Sequence, residues 1–395
     1  MIIWVYMLFI SGFFFFFNYI GYALIAYAFN KIHPKYKAVH TSGFYPSVSF
    51  IVAAYNEQDI IEEKIRNSLK LAYPPSKIEF IFITDGSMDN TVSIIQKYPG
   101  ITLLHASERK GKSAALNRAA AAAQNDILIM SDANTFLNTD AIKYIASHYE
   151  DTQVGGVAGE KKVIQAEEDS NGVGNREGLY WKYESFLKKI DSDFYSVVGA
   201  AGELFSIRRS LYEPIGNDVI LDDFVISLKT AQRGRRVIYE PRAYAMEFAS
   251  ISIKDEKERK IRIAAGGFQA ITMLAPLLKF WKHPRLTFLY ISHRVMRWCI
   301  SPLCLIAVFI SNLVIIAKGG GCFYSACFIM QVVFYIIAFA SPYISAKAKL
   351  ASLKAAGYFV FMNVSVIQGF FRFISKKQAS AWEKVKRAPL KIDVD

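Results

Sequence analysis

The residues from Asp126 to Thr135 carry the clearest chemistry in the chain: D-I-L-I-M-S-D-A-N-T. An apolar run, Ile127 to Met130, has the length of a buried strand and stops abruptly at Ser131-Asp132-Ala133-Asn134. Asp132 and Asn134 can offer oxygen ligands to a hard divalent cation, which commonly also holds substrate phosphates. The same residues also suit a strand ending in an Asx-type turn.

Three further polar insertions stand in comparable places. Ala53-Ala54-Tyr55-Asn56-Glu57 ends one apolar run, and Thr84-Asp85-Gly86-Ser87-Met88-Asp89-Asn90-Thr91 ends the next. Arg109-Lys110-Gly111-Lys112-Ser113 opens an alanine-rich stretch. Together they fit a nucleoside diphosphate. A carboxylate such as Asp85 can accept hydrogen bonds from a base or ribose, while basic side chains and helix N-termini neutralise phosphates. A cation at Asp132 and Asn134 would stabilise the charge on a departing diphosphate. Each insertion also has a plain structural role open to it: Asn56 and Glu57 as helix caps, Asp85-Gly86-Ser87 as a turn, Gly111-Lys112-Ser113 as a solvated basic turn. A nucleoside-triphosphatase P-loop is excluded, because Ala106 stands where that motif requires glycine.

The elements that must carry these insertions alternate. Ser47 to Ala54, Ile78 to Thr84 and Ile101 to His105 have strand patterns. Glu57 to Leu69 has apolar residues at Ile61, Ile65 and Leu69, a helical spacing; Asn90 to Tyr98 and Ser113 to Ala123 also have helical patterns. The β-α-β-α order predicts an α/β domain over residues 46–247 with a mainly parallel sheet. Ligands of such sheets bind beyond the carboxyl ends of the strands, so all four insertions would lie along one edge.

This ordered set, Y-N-E, T-D-G-S-x-D-x-T, K-G-K-S-x-A-L-N and D-A-N-T, resembles the family 2 glycosyltransferases of the GT-A fold, from Ser47 to about Gly266. The resemblance implies that Asp85 contacts the nucleoside of a nucleotide sugar, and that Asn56, Glu57 and Lys112 shape the nucleotide pocket. It implies that Asp132 and Asn134 hold Mg2+ or Mn2+ with the diphosphate, Asn134 replacing the usual second aspartate. Val198-Gly199-Ala200-Ala201-Gly202-Glu203 resembles the family's acceptor loop, placing Gly199 and Ala200 against the acceptor. Leu221-Asp222-Asp223-Phe224 resembles T-E-D, with Asp222 beside the acceptor and Asp223 as general base; the two carboxylates would also suit a helix N-terminus. Processive members, the hyaluronan, chitin and poly-N-acetylglucosamine synthases, carry Q-x-x-R-W. Here the matching stretch is Arg259-Lys260-Ile261-Arg262-Ile263, in which Arg262 can contact the diphosphate. Arg294-Val295-Met296-Arg297-Trp298 mimics the motif later, where Trp and Arg also serve as interfacial anchors.

The rest of the chain reads as membrane. Hydrophobic residues make up 53% and charged residues 21%, high and low for a soluble protein. Residues 1–30 form a transmembrane helix followed by Lys31, Lys35 and Lys37, which places the domain in the cytosol. Residues 248–297 read as interfacial amphipathic helices, with Gly266 to Trp281 lying on the membrane surface. Residues 298–374 form a C-terminal membrane region with spans at Trp298 to Ala317 and Cys322 to Tyr343. Its last stretch, Gly357 to Ile374, holds Asn363, Gln368 and Arg372, and is expected to be re-entrant or interfacial, so that the basic tail, 375–395, stays cytosolic. The net charge of +13 is then positive-inside anchoring, with no nucleic-acid partner. All four cysteines lie in or beside apolar segments, which excludes a disulfide framework or zinc site.

These observations give an inverting, membrane-bound glycosyltransferase, with a nucleotide-diphosphate sugar (UDP-linked) as donor and a lipid-linked or saccharide acceptor, at the bilayer. A processive polysaccharide synthase and a nucleotide-binding transporter or sensor are the competing expectations.

Overall fold

The computed structural model describes residues 1–32, 36, 43–164, 173–248, 253–341 and 351–376. An apolar helix, α1 (Ile2–Ile32), precedes the α/β region. That region runs β1 (Val48–Ala54), α2 (Ile61–Leu69), β2 (Ile78–Asp85), α3 (Thr91–Ile95), β3 (Thr102–Ala106), α4 (Lys112–Ala122) and β4 (Ile127–Asp132). It continues through β5 (Phe136–Leu137), α5 (Ala141–Ser147), β6 (Val154–Ile164), α6 (Val173–Phe194), β7 (Phe205–Arg208), α7 (Asp222–Gln232) and β8 (Arg236–Phe248).

The eight strands form one sheet in the order β3-β2-β1-β4-β7-β6-β8-β5. β1 pairs in parallel with β2 and β4, and β2 with β3. β7 runs antiparallel between β4 and β6, β8 is parallel to β6, and β5 is antiparallel to β8. Only β5 and β7 oppose the other strands, so the mainly parallel expectation holds. Every residue of β1 is buried, because helices cover both faces. Phe50 and Val52 point to the α2 and α5 side, and Ile51 and Ala53 to the α4 and α7 side.

β1, β2 and β4 all end at the same edge in register, with Ala53 opposite Asp132 and Ala54 opposite Thr84. The polar insertions therefore emerge side by side.

After β8 come α8 (Ile253–Met273), α9 (Pro284–Cys299), α10 (Ser301–Ala317), α11 (Cys322–Ala340) and α12 (Ala351–Ile374). Among the described residues, α1, α11 and Ala355–Ile374 are long and apolar enough to cross a membrane; α9 and α10 form a further, bent pair at 54°. Pro302 at the start of α10 marks the break. The structure differs from expectation in two places. The charged stretch from Lys254 and the apolar stretch from Gly266 are one helix, ending at Met273 rather than Trp281. Residues 357–374 are an unbroken helix rather than a re-entrant turn. One side of α12 faces apolar helices, with Phe359 against Phe15 and Phe334. Its other side faces α6, with Tyr358 against Tyr180, and α8, with Arg372 paired with Glu258 at 3.1 Å. Lys35, Lys37, Lys347, Lys349 and the tail beyond Lys376 lie outside the described residues.

Candidate active site

The first insertions bind each other. Asn56 has a positive φ of 53°. Its N–H donates to Ser87 Oγ, and its Oδ1 accepts from Met88 N–H at 2.9 Å. Glu57 N–H donates to Thr91 Oγ1 at 2.8 Å. Neither side chain caps α2, which begins four residues after Glu57. The two loops thus form one rim.

Asp85 ends β2 under this rim. Its Oδ2 accepts the N–H of Lys110 (2.8 Å) and Gly111 (2.6 Å), and its Oδ1 accepts Arg118 at 3.0 Å. The carboxylate therefore shapes the basic loop as well as lining a cleft with Ala53, Tyr55, Arg109, Gly111 and Lys112. The Arg109 guanidinium stacks 3.9 Å from the centre of the Tyr55 ring at the mouth of that cleft.

Lys112, at the start of α4, reaches the centre of the site. Its ammonium lies 2.6 Å from Asp132 Oδ1 and 3.8 Å from Asp222 Oδ2. A Cβ placed on Gly202 would sit 3.0 Å from Lys112 Nζ, 3.5 Å from Asp223 Oδ2 and 3.6 Å from Asp132 Oδ2. Three side chains, drawn from a span of more than a hundred positions in sequence, meet around Gly202. Gly202, which sequence analysis did not single out, is the residue of the Val198–Glu203 loop that lies at the carboxylates. Gly199 packs on Phe224: its φ is +87°, and a Cβ there would collide with that ring. Ala200 is buried, its N–H donating to Ser227 Oγ at 2.9 Å. Replacing Gly199 with alanine is therefore expected to destabilise the fold by on the order of 3 kcal/mol, through left-handed strain and overpacking; a urea titration measures it.

The charges are unbalanced. Burial would lower the Lys112 ammonium, but Asp132, Asp222 and Asp223 outweigh it and hold the group above its ordinary range. Burial raises Asp132, opposed by Lys112 and reinforced by Glu203. Burial and the neighbouring Asp222 push Asp223 up to about 7, against the pull of Lys112. Asp222 Oδ2 is buried with no hydrogen-bond partner among the described residues. Three carboxylates sharing one ammonium, with an orphaned oxygen among them, suit a further cation. Among the described residues no three His, Cys, Asp or Glu form a metal cluster. Asp132 and half-buried Asn134 supply oxygen donors of the kind that hold Mg2+ or Mn2+ when diphosphate and water complete the shell.

Two placements go beyond the sequence expectations. On α8, Gly266 packs on Ile220 and Leu221, just before Asp222; Arg262 lies one turn earlier, on the same side of the helix. Arg294 and Trp298, which could have been mere interfacial anchors, reach the catalytic loops. Arg294 Nε donates to Val198 O at 3.3 Å, and the Trp298 ring lies 5.6 Å from Phe224. Glu184 on α6 holds Arg294 at 3.1 Å and also pairs with Arg297. Both arginines outweigh burial and keep its carboxyl well below the usual range.

Comparison with known proteins agrees with this geometry. The model of Glycosyl transferase family 2 matches residues 49–216. A poly-beta-1,6-N-acetyl-D-glucosamine synthase of Staphylococcus aureus (strain MSSA476) is 28% identical over 232 residues, 57% of this chain and 55% of that protein. The Staphylococcus epidermidis synthase is 26% identical over 242 residues, 59% of this chain and 56% of its own. The match thus spans about half the length of these curated relatives. Among solved structures, the mannosyltransferase PcManGT from Pyrobaculum calidifontis, in complex with GDP-Man and Mn2+, superposes with a TM-score of 0.69. It is 21% identical, with 94% of this chain and 100% of that one covered, and shows the fold: GT-A. The rim, basic loop, D-A-N turn and Val198–Glu203 loop gathered at one sheet edge all lie within residues 49–216, the segment that matches the family 2 glycosyltransferase model.

Proposed function

We propose that the chain is an inverting glycosyltransferase that moves a sugar from a nucleoside-diphosphate sugar, with UDP-sugars the first donors to test, to a lipid-linked or saccharide acceptor at a membrane. The observation that carries this is the meeting of Lys112, Asp132 and Asp223 around Gly202, with Asp222 3.8 Å from the Lys112 ammonium. Asp223 takes the acceptor hydroxyl proton while that oxygen attacks the anomeric carbon. The bond to the diphosphate breaks on the opposite side, so the configuration inverts and the electron pair leaves with the nucleoside diphosphate. Asp85 and its loop bind the nucleoside, and Lys112 and Arg262 face the phosphates. A divalent cation, Mg2+ or Mn2+, held by Asp132 and Asn134 would act as a Lewis acid on the leaving oxygens.

A multi-pass membrane protein with a cytosolic catalytic domain fits the apolar helices and Lys31 at the domain end of α1. The two-sided packing of α12 supports an interfacial position for it.

The test offers a panel of nucleotide sugars to membranes containing the protein and measures free nucleoside diphosphate. Release of UDP or GDP from one donor supports the proposal; no release above an Asp223→Asn control from any donor overturns it.

A processive synthase is a second reading, favoured by the contacts of Arg294 and Trp298 with the acceptor loop and Phe224. On that reading Trp298→Ala shortens the product on a sizing gel at unchanged donor KM. A single-sugar product from the unaltered protein would exclude processivity.

A further inference from the structure

Beneath the Asp132–Asn134 turn lies a buried lysine that no step above uses. Lys64 comes from the middle of α2 and is 0% exposed. Its ammonium donates to Ser131 Oγ and to the Thr135 carbonyl oxygen, both at 2.7 Å. These residues immediately flank the turn on either side. Ser131 and Thr135 hydroxyls lie 3.1 Å apart, and Thr135 Oγ1 donates to Asp132 O at 3.0 Å. Ser131 Oγ donates to Glu203 O at 3.1 Å, and Thr135 Oγ1 lies 3.3 Å from the same oxygen, tying the turn to the end of the Val198–Glu203 loop. The same helix grips β5 three residues on, where Asn67 exchanges two 2.9 Å hydrogen bonds with the Leu137 backbone.

Burying an ammonium away from water is costly unless it is hydrogen-bonded, and an apolar side chain would fill this place at lower cost. Among the described residues Lys64 makes no ion pair at contact distance; its nitrogen lies 5.5 Å from the centre of the Phe50 ring. The position thus maintains two hydrogen bonds to one turn. Groups that orient metal ligands from behind typically change metal affinity or activity about 10- to 100-fold when removed.

The geometry points to Lys64 as a positioning residue: it holds the Asp132–Asn134 turn in the conformation that binds the divalent cation and diphosphate, and through Glu203 couples that turn to the acceptor loop. This rests on the cation and donor site proposed above. Lys64 does not touch the reacting atoms, and its effect is carried by Ser131 and Thr135.

The test is a Mn2+ titration of the purified full chain, followed by electron paramagnetic resonance with and without UDP, beside steady-state kinetics. Lys64→Met is expected to weaken Mn2+ binding about tenfold or more and to lower kcat while donor KM at saturating Mn2+ changes little. Thermal unfolding under the same conditions reports any loss of folded protein separately. Should Lys64→Met fail to fold, Ser131→Ala removes only the receiving hydroxyl and is expected to weaken Mn2+ binding in the same direction. Unchanged Mn2+ affinity in the folded variant, with activity merely following the folded fraction, overturns the inference. If the unaltered chain itself binds no Mn2+ or UDP, the proposed function fails with it; if the unaltered chain binds both and the variant equals it, only the role of Lys64 fails.

Discussion

Asp223→Asn is expected to lower turnover about a thousandfold, within the range general bases contribute, and to leave donor binding nearly intact. The carboxylate stands 3.5 Å from the place a Gly202 Cβ would occupy, beside Lys112. Asparagine fills the same volume but cannot accept the proton. Steady-state turnover and UDP calorimetry on the variant separate the two effects; near-normal turnover would displace Asp223 from the base role. The same residue sets a pH dependence. Burial and Asp222 raise Asp223 to about 7, so in the proposed base role it would be protonated and idle below that pH. The rate of the unaltered enzyme should rise through about pH 7, and a bound cation should move this limb downward. Stability moves the other way. A group raised in the folded state contributes stability that is complete below its unfolded value, about 3.9, and is lost as pH rises through its folded value. Asp223→Asn should therefore match the unaltered chain in Tm near pH 4 and exceed it at pH 8.

Asp132→Ala is the second large effect. It removes the carboxylate nearest Lys112, at 2.6 Å, leaving that ammonium with Asp222 at 3.8 Å. It also removes the one carboxylate of the proposed cation site, since position 134 offers only an amide oxygen. A Lewis acid on a leaving diphosphate supplies several kcal/mol, so kcat/KM should fall about 100-fold or more. Calorimetry of UDP binding with and without Mn2+ checks the cause: the increment due to metal should vanish in the variant. An increment of unchanged size would count against Asp132 as a ligand.

Much of this site was legible in the sequence because it lies on parallel strands. The apolar runs of β1, β2 and β4 specify buried strands, and a parallel sheet brings their polar ends to one edge. The order of the insertions then carried the family. Where the reading stopped short, long-range packing made the decision. The helix after Glu57 starts late because residues 56–58 bond to the Ser87–Asn90 loop instead. Its apolar spacing suggested Leu69 on the inner face, yet Leu69 is 49% exposed and the inner stripe is Ile61, Lys64, Ile65 and Ser68. A lysine on that stripe looks solvated until the turn it serves is in view. The packing of Gly199 was hidden for a similar reason, since the Phe224 ring that occupies the space over it is supplied by a later helix. Trp298 and Arg294 sit at the start of an apolar segment, where an anchoring role is common. Only the fold brings them to Phe224 and Val198.

The most direct measurement is a structure of the full chain with UDP and Mn2+. The account predicts one Mn2+ at about 2.1 Å from an Asp132 oxygen, coordinated by both phosphates. It places the uridine in the cleft of Tyr55 and Asp85, and leaves the Asp223 carboxylate facing open space on the acceptor side. Nucleotide bound away from that sheet edge, or a cation held without Asp132, would contradict it.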